Sequence, residues 1–537
     1  MKLKNILFTA CLVLPTLALT AQEEAQDKAP ENWYNLDMTD DNVHGVSSEK
    51  AYKELLKGKK SKTIIVAIID SGVDEEHEDL KDVMWVNKGE IAGNGIDDDK
   101  NGYIDDINGW NFIGGANGDN VNKDSYELTR VYSYLKNKKR NKKEEARYKK
   151  IKEEFESKVE GMKGNLQQMT MIAGVLTSIK DGLGDKPATA ANIKAMKADD
   201  EKTKMAKKLF ENVFLPQMIA QGQSETDTVD IDEMMEGING AKDYYQSSLE
   251  YGYNEEFNPR NIVGDNYTKS REKYYGNNDV TGPDAGHGTH VAGIVGAVRT
   301  NTIGNKGVAD NVRLMSVRAV PDGDERDKDV ANSIYYAVNN GAKIINMSFG
   351  KGFSYDKKCV DKAVRYAEKK GVLLVHAAGN SSLNTDIEDN YPNRYKKDDE
   401  SKGFSNWIEV GALSWKKGVD APAVFSNYGK KNVDLFAPGV DIYSTVPGSE
   451  YDAFSGTSMA SPVTAGVAAL VWSYYPELTV KELRKILIES TIKKSDYVNL
   501  PGSGGEKQVE FGDLSNTSGV VNAYTALKMA EEMTKGK

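Results

Sequence analysis

Three apolar runs restrict the folds open to this chain of 537 residues. They cover Ile64–Ile69, Lys343–Gly350 and Val372–Ala378, and stretches of helical character separate them. Mostly apolar runs of this length are typical of strands that are buried on both faces. Buried strands that alternate with helices indicate an α/β fold with a doubly wound, mostly parallel sheet. In such a sheet, the loops at the carboxyl ends of the strands carry the functional site.

Four polar residues occupy positions suited to nucleophilic catalysis. Asp70 ends the first run, and Asn380 follows the third. His287 opens an Ala/Gly-rich helix within Gly286–Gly293, and Ser458 lies among small residues just before an apolar helix. Taken alone, a serine at this point is more often an ordinary helix N-cap. A catalytic serine needs a base, and the base needs an orienting carboxylate, so the combination of the segments favours catalysis.

The segments around these residues, in the order Asp, His, Ser, resemble those of the subtilisin-like serine proteases, or subtilases. The resemblance covers residues from 64 to about 115 and from about 284 to 526. It implies a secreted bacterial serine endopeptidase that acts on polypeptides through an acyl-enzyme. The implied catalytic triad is Asp70, His287 and Ser458, with Asn380 and the Ser458 N–H stabilising the oxyanion. The implied substrate-binding residues are Ser348, Phe349, Gly350, Ala378 and Gly379, and 390–392 resembles the base of the primary specificity pocket.

An Asp/Asn/Gly-rich loop at 94–108 follows the spacing of EF-hand calcium ligands. Calcium takes six to eight oxygen ligands, and EF-hand loops supply them at alternating positions around a glycine. Position 12 is Asn108 in place of the usual Glu, so Asp106 is the candidate for the missing carboxylate. The predicted ligands in this loop are Asp97, Asp99, Asn101, Tyr103, Asp105 and Asp106. The family resemblance adds Asp79 and Asn301 as ligands of structural calcium, and a plain polar turn remains the alternative for the loop.

Residues 120–275 interrupt the resemblance. Ten apolar residues recur at helical spacing between Ile151 and Leu183, which predicts one long amphipathic helix over 142–183 that packs on a partner. Further helical runs are predicted, including 201–221 with a break at Pro216. The predicted domains are therefore a signal peptide at 1–21, a catalytic domain in two parts at 22–119 and 276–537, and a helical insertion at 120–275. We expect the insertion to form an antiparallel subdomain beside the cleft that limits access of bulky substrates.

Composition and the amino-terminal sequence indicate the class of partner, the cellular location and the number of disulfides. The net charge of −11 argues against nucleic-acid binding. Lys2, Lys4 and the apolar stretch 6–19 predict a secretory signal peptide that ends at Ala21, so the protein would be periplasmic, surface-associated or extracellular. We expect no transmembrane segment in the mature chain. Cys359 would be the one cysteine left after processing, which leaves no intrachain disulfide.

The segment 319–327 resembles the rim of the family's peptide-binding cleft and is unusually acidic. Its acids, Asp322, Asp324, Glu325 and Asp327, predict a preference for substrates with Lys or Arg near the scissile bond. The alternative is that Arg326 and Lys328 neutralise the rim in local pairs. A rival to the whole enzymatic interpretation is a non-catalytic protein of the same fold whose insertion holds a partner. The sequence indicates neither the natural substrate nor the oligomeric state.

Overall fold

A computed structural model describes residues 28–220, 224, 226–396 and 399–535. The strands are β1 Ile64–Asp70, β2 Gly109–Asn111, β3 Val312–Arg318, β4 Ile344–Met347, β5 Leu373–Ala377, β6 Tyr395–Lys396, β7 Asp399–Gly403, β8 Trp407–Leu413, β9 Leu435–Pro438, β10 Ile442–Val446, β11 Glu450–Phe454, β12 Ile492–Lys493, β13 Tyr497–Asn499, β14 Gln508–Glu510 and β15 Gly519–Val520. The helices are α1 Ser48–Ala51, α2 Glu127–Lys136, α3 Lys142–Leu183, α4 Ala190–Ala195, α5 Glu201–Leu209, α6 Leu215–Ala220, α7 Ile231–Ser247, α8 Arg260–Val263, α9 Gly286–Gly296, α10 Asp327–Asn339, α11 Lys357–Lys370, α12 Thr457–Tyr474, α13 Val480–Glu489 and α14 Ala523–Thr534.

One nine-stranded sheet organises the larger part of the molecule, in the order β12-β15-β9-β8-β5-β4-β1-β3-β2. All its pairs are parallel except β12 with β15 at one edge. Strand β1 lies between β3 and β4, so the chain passes over β1 when it runs from β3 to β4. This is the strand reversal at which open α/β sheets bind ligands. The predicted fold class, a mostly parallel α/β sheet, is confirmed.

The sheet is covered on both faces. On one face the apolar helices α9 and α12 pack into a core with side chains such as Val66, Ile68 and Leu470. The opposite face buries the alternate residues, among them Ala67 and Ile69, together with side chains of α10 and α11. Burial on both faces explains why the strands appear in the sequence as continuous apolar runs without alternation.

The segment Glu156–Glu250 forms a compact unit of its own, and Lys28–Phe155 with Tyr251–Lys537 forms the larger one. In the helical unit, the carboxyl-terminal part of α3 contributes Leu176 and Ile179 to a core that it shares with the other helices of the unit. The bounds of α3 coincide with the predicted 142–183. The domain limits given above stay predictions, as does the position of the insertion beside the cleft.

Pro216 does not break the helix that was predicted around it. The backbone widens into a π-helical turn over Phe210–Phe214 and continues as α6 from Leu215. Proline has no amide hydrogen to donate to the preceding turn, and a widened turn accommodates that loss. Across the residues with assigned positions, no helix combines the length and the apolar character needed to span a bilayer.

Candidate active site

Asp70 and His287 form a close pair at the carboxyl end of β1. Asp70 Oδ1 lies 2.6 Å from His287 Nδ1 and also accepts the backbone N–H of Ser71. Helix α9 can approach this strand because a Cβ on Gly288 would lie 2.0 Å from the Gly72 carbonyl oxygen, so a glycine is required there. Burial lowers the pKa of His287, but the Asp70 carboxylate acts in the opposite direction and leaves that pKa above its ordinary value.

Ser458 lies in the first turn of α12. Its hydroxyl donates to the carbonyl oxygen of Ser348 at 3.2 Å, and the Ser348 hydroxyl donates to the Ser458 carbonyl at 2.8 Å. These two bonds hold the helix start against the segment that follows β4. A serine hydroxyl turned to a neighbouring carbonyl can rotate toward a base when substrate arrives, and such hydrogen bonds are commonly long before substrate binds.

Asn380 is oriented by the residue that precedes the serine. Its Oδ1 accepts both the backbone N–H and the hydroxyl of Thr457 at 2.8 Å. The amide nitrogen therefore points away from Thr457. A Cβ built on Gly456 would lie 3.4 Å from Asn380 Nδ2 and 3.5 Å from the Ser458 nitrogen. Two N–H donors thus border one small space, which is the arrangement that an oxyanion requires.

The predicted substrate-binding residues lie at the ends of β4 and β5. Ser348 and Phe349 are mostly buried, whereas Gly350 is exposed. Gly379 adopts φ +102°, and a side chain there would meet Asn427. Ala378 is fully buried, and its carbonyl accepts from the amides of Asn390 and Asn427, so it supports the site from behind.

A cavity of about 290 Å³ opens beside the pair of Asp70 and His287. Three of its lining residues, Asn122, Asp284 and Arg318, were not predicted from the sequence. Arg318 is the β3 neighbour of Asp70, and its guanidinium donates to the carbonyls of Ser71 and Val121. Burial lowers the pKa of Arg318 to about 10. The strand register could have indicated Arg318, but Asn122 lies in the segment that lacked any recognised pattern.

Asp79 and Asn301 are brought together, as the family resemblance implied. The Asn301 amide donates to Asp79 Oδ1 at 2.7 Å. Asp79 Oδ2 is buried and has no hydrogen-bond partner among the described residues. Burial raises the pKa of Asp79 above its ordinary value. An unpartnered buried carboxylate oxygen is costly, and it is a fitting ligand for a hard cation.

The loop at 94–106 gathers part of its predicted ligand set. Carboxylate oxygens of Asp99, Asp106 and Glu90 lie within 4.8 Å of one another, and Glu90 was not predicted. Asp97 and Asp105 instead accept backbone N–H groups of the loop, from residues 101–102 and 94–95 respectively. The ring of Tyr103 packs among aromatic side chains, so the predicted role of this residue would fall to its backbone carbonyl. Burial raises the pKa of Asp106 to about 6.

The acidic rim differs from the prediction. Glu325 and Asp327 are buried, and Asp327 pairs with Lys351, which was not predicted to take part. Asp322 is exposed and pairs with Lys123. These contacts fit the alternative that the rim acids are neutralised by nearby cations. The cations are Lys123 and Lys351, however, and not the predicted Arg326 and Lys328. Arg326 and Lys328 pair with acids outside the rim, at 124, 265 and 272.

Comparison with known proteins extends these observations. Residues 61–520 match the profile of the subtilase family. The chain is 44% identical over 188 residues to the thermophilic serine proteinase of Bacillus sp. strain AK1, a match that covers 35% of this chain and 42% of that protein. It is 37% identical over 250 residues to the thermostable alkaline protease of Halalkalibacterium halodurans, covering 46% and 61%. Subtilisin DY of Bacillus licheniformis is 40% identical over 215 residues, covering 39% and 72%.

The match to the first two of these relatives spans less than two thirds of their length. The family profile, in contrast, covers most of the present chain and includes all the elements that carry the triad residues. This chain belongs to the subtilase family.

Proposed function

We propose that the chain is a serine endopeptidase that hydrolyses peptide bonds in polypeptides. The observation that supports this most strongly is the 2.6 Å contact between Asp70 and His287 at the mouth of a cavity that also reaches Ser348, against which Ser458 rests. The relatives named above as proteinase, protease and subtilisin support the same activity.

Each residue has a distinct part in the proposed reaction. Ser458 Oγ attacks the peptide carbonyl as His287 removes its proton, and His287 then donates that proton to the leaving amine. Asp70 holds the imidazole tautomer through Nδ1 and stabilises the imidazolium. The Asn380 amide and the Ser458 N–H bind the oxyanion, and water then releases the acyl group by the same steps in reverse.

A fluorophosphonate probe tests this mechanism. The wild-type protein should be labelled and should cleave peptides, whereas Ser458→Ala should lose both properties and keep its melting temperature. Asn380→Ala should lower kcat roughly 10²–10³-fold, a magnitude taken from the corresponding donor of subtilisin itself. Because the base must be neutral, activity should rise with pH through a midpoint above the ordinary histidine value. Wild-type cleavage by Ser458→Ala would contradict the mechanism.

The rival function, a non-catalytic binding protein, gives a different result in the same experiment. It would leave the probe unreacted on a folded wild-type protein. The orientation of Asn380 by Thr457 argues against this rival, because a protein without an oxyanion to stabilise has no need of that arrangement.

Structural calcium is the second part of the proposal. One ion would be held at Asp99, Asp106 and Glu90, with Asn101, Asp97, Asp105 and the carbonyl of Tyr103 as the remaining predicted ligands. A second would be held by Asp79 and Asn301. In both places calcium would supply positive charge that offsets the repulsion between carboxylates or the cost of burying one. The orphaned Asp79 Oδ2 supports the second site.

Export from the cell is the third part. The signal peptide at 1–21 lies outside the residues that the structure describes, so its support is the sequence pattern alone. Amino-terminal sequencing of protein purified from the periplasm, the cell surface and the medium should place the first residue at 22 in one of these fractions. A cell-associated protein that still begins at residue 1 would contradict export.

A further inference from the structure

The Lys351 side chain spans the gap between the two segments that flank the expected path of the substrate. One is Ser348–Gly350, which is expected to pair with the peptide, and the other is the rim at 322–325. The Lys351 ammonium donates to the carbonyl of Glu325 across this gap. It also contacts Glu127 Oε2 at 3.1 Å and Asp327 Oδ1 at 2.9 Å. Four residues from three parts of the chain therefore meet at one end of the groove.

The side chains that meet at this end of the groove are buried. Gly350 is exposed, but the next side chain, Lys351, is only 1% exposed. Glu325 and Asp327 are 2% and 3% exposed, and Glu127 is completely buried. The Lys351 ammonium reaches the Glu325 carbonyl, and the acids around it are buried, so protein atoms occupy the space between Gly350 and the rim. A longer peptide would have to extend into this space.

Residues 124–130, which lead into α2 and form its first turn, cover this end of the groove. We call this segment the cover. Asp124 donates its backbone N–H to the Asp322 carbonyl at 3.0 Å, and the Glu127 N–H donates to Asp324 Oδ2 at 2.7 Å. Arg130 donates to the carbonyls of Asp324 and Glu325. These bonds join the cover to the rim along its length, so it is part of the folded groove.

The position of the primary specificity pocket indicates which side of the scissile bond binds at the Lys351 end of the groove. The residue whose carbonyl is attacked places its side chain in that pocket, and Asn390 at its base lies against Gly350. The backbone of Lys351 pairs in both directions with Tyr391, beside the same base. The segment that runs from Ser348 past this pocket to Lys351 therefore follows the residues on the amino-terminal side of the scissile bond.

We propose that Lys351 and the first turn of α2 close the groove on this side, so that the preferred substrates carry a short amino-terminal extension. Three residues, Ser348 to Gly350, precede Lys351 along this segment, which matches roughly three substrate residues at the spacing of a strand. This specificity rests on the proposed peptidase activity. The chemical class of substrate is a peptide or a flexible protein terminus cleaved a few residues from its amino end.

Two nested peptide series test the closure on the wild-type protein. Both keep one cleavage sequence and reporter, and one is lengthened from one to six residues before the scissile bond, the other by the same steps after it. We expect kcat/KM to fall roughly tenfold or more once the first series exceeds about three residues, the range known for a poorly accommodated group. The second series should change little. Equal rates at all amino-terminal lengths would overturn the closure.

A matched pair of variants separates bulk from charge. Glu127→Gln with Lys351→Ala removes one acid, one base and the side chain that fills the gap. Glu127→Gln with Lys351→Met removes the same charges but keeps most of the bulk. We expect the alanine variant to raise the ratio of long-peptide to short-peptide kcat/KM roughly tenfold and the methionine variant to leave it near the wild-type ratio.

Melting temperature and probe labelling are measured on both variants. Should either fail to fold, the wild-type series still decides the question. An equal ratio in the two folded variants and the wild type would overturn the closure. Loss of probe labelling by the wild type would instead contradict the proposed peptidase, so the two failures are distinguishable.

Discussion

Two acid-rich regions of this protein differ in what surrounds their carboxylates. In the loop at 90–106, the carboxylates of Glu90, Asp99 and Asp106 converge, and their hydrogen-bond donors are amides, backbone N–H groups and the Tyr336 hydroxyl. In the cluster that closes the groove, Glu127 and Asp327 share Lys351. Arg130 contacts Glu127 as well.

The difference shows where the compensating cation comes from. The groove cluster carries its cations on its own side chains, so it is complete once the chain folds. In the loop, three carboxylates converge and their hydrogen-bond donors are all uncharged. A cation from solution would therefore supply the missing positive charge. Counting acids along the sequence does not distinguish these cases, because the decisive cations are far away in the chain.

The largest expected effect comes from removing the cation of the groove cluster. Lys351→Met leaves Glu127 and Asp327 buried beside each other without their shared partner. Breaking such a buried pair costs about 3–5 kcal/mol of unfolding free energy. Urea denaturation of the purified variant measures this. A loss below about 1 kcal/mol would mean that the acids are neutral or solvated, and the contrast between the regions would collapse.

Removing the cation from solution should affect the loop and spare the groove cluster. Chelator should lower the melting temperature, and excess calcium but not magnesium should restore it, because an ion at a hundred times its Kd adds about 2.7 kcal/mol to the native state. Asp99→Asn and Asp106→Asn should weaken this response, whereas Asp82→Asn, an exposed acid elsewhere, should keep it. An unchanged melting curve in chelator would count against both calcium sites.

A smaller effect should appear in the pH dependence of stability. Burial raises the pKa of Glu325 to about 8. A carboxyl with a raised folded pKa contributes stability below its unfolded pKa and loses it as pH rises through the folded value. The free energy of unfolding should therefore fall as pH rises from about 6 to 8. Glu325→Gln should flatten this slope, and an identical slope in that variant would contradict the assignment.

The smallest effect belongs to the surface of the same rim. Lys123 and Asp322 form a salt bridge in which both side chains contact solvent. Exposed pairs contribute roughly 0–1 kcal/mol. Lys123→Met should therefore change the unfolding free energy far less than Lys351→Met, in the same urea assay. A comparable loss would show that burial does not set the contribution of these pairs.

Sequence patterns predicted the parts that short-range chemistry determines. Apolar runs predicted the buried strands β1, β4 and β5, and a repeat of three to four residues predicted the full length of α3. Asp70, His287, Ser458 and Asn380 were identified because each lies in a long local motif next to a strand end or helix start. The geometry around them agrees with those roles, which remain part of the proposal.

Contacts between segments that are far apart in the chain could not be predicted from the sequence. Glu127 and Lys351 are 224 positions apart, and neither has a local pattern that indicates the other. The rim was interpreted as exposed because its sequence is polar, yet tertiary contacts bury half of its acids. Glu90 was missed in the loop for a similar reason, since it lies outside the twelve-residue spacing on which the prediction relied.

The strand order around β1 has a consequence during synthesis. Asp70 meets a histidine that lies 217 positions later, and the Ser348 segment waits a further 110 positions for Ser458. At elongation rates of roughly 5–20 residues per second, the ribosome needs tens of seconds between the first and last of these residues. A nascent chain can therefore bring the proposed nucleophile, base and carboxylate together only when translation is almost complete. A truncated product that stops before α12 lacks the proposed nucleophile, so under the proposed mechanism it would not hydrolyse peptides.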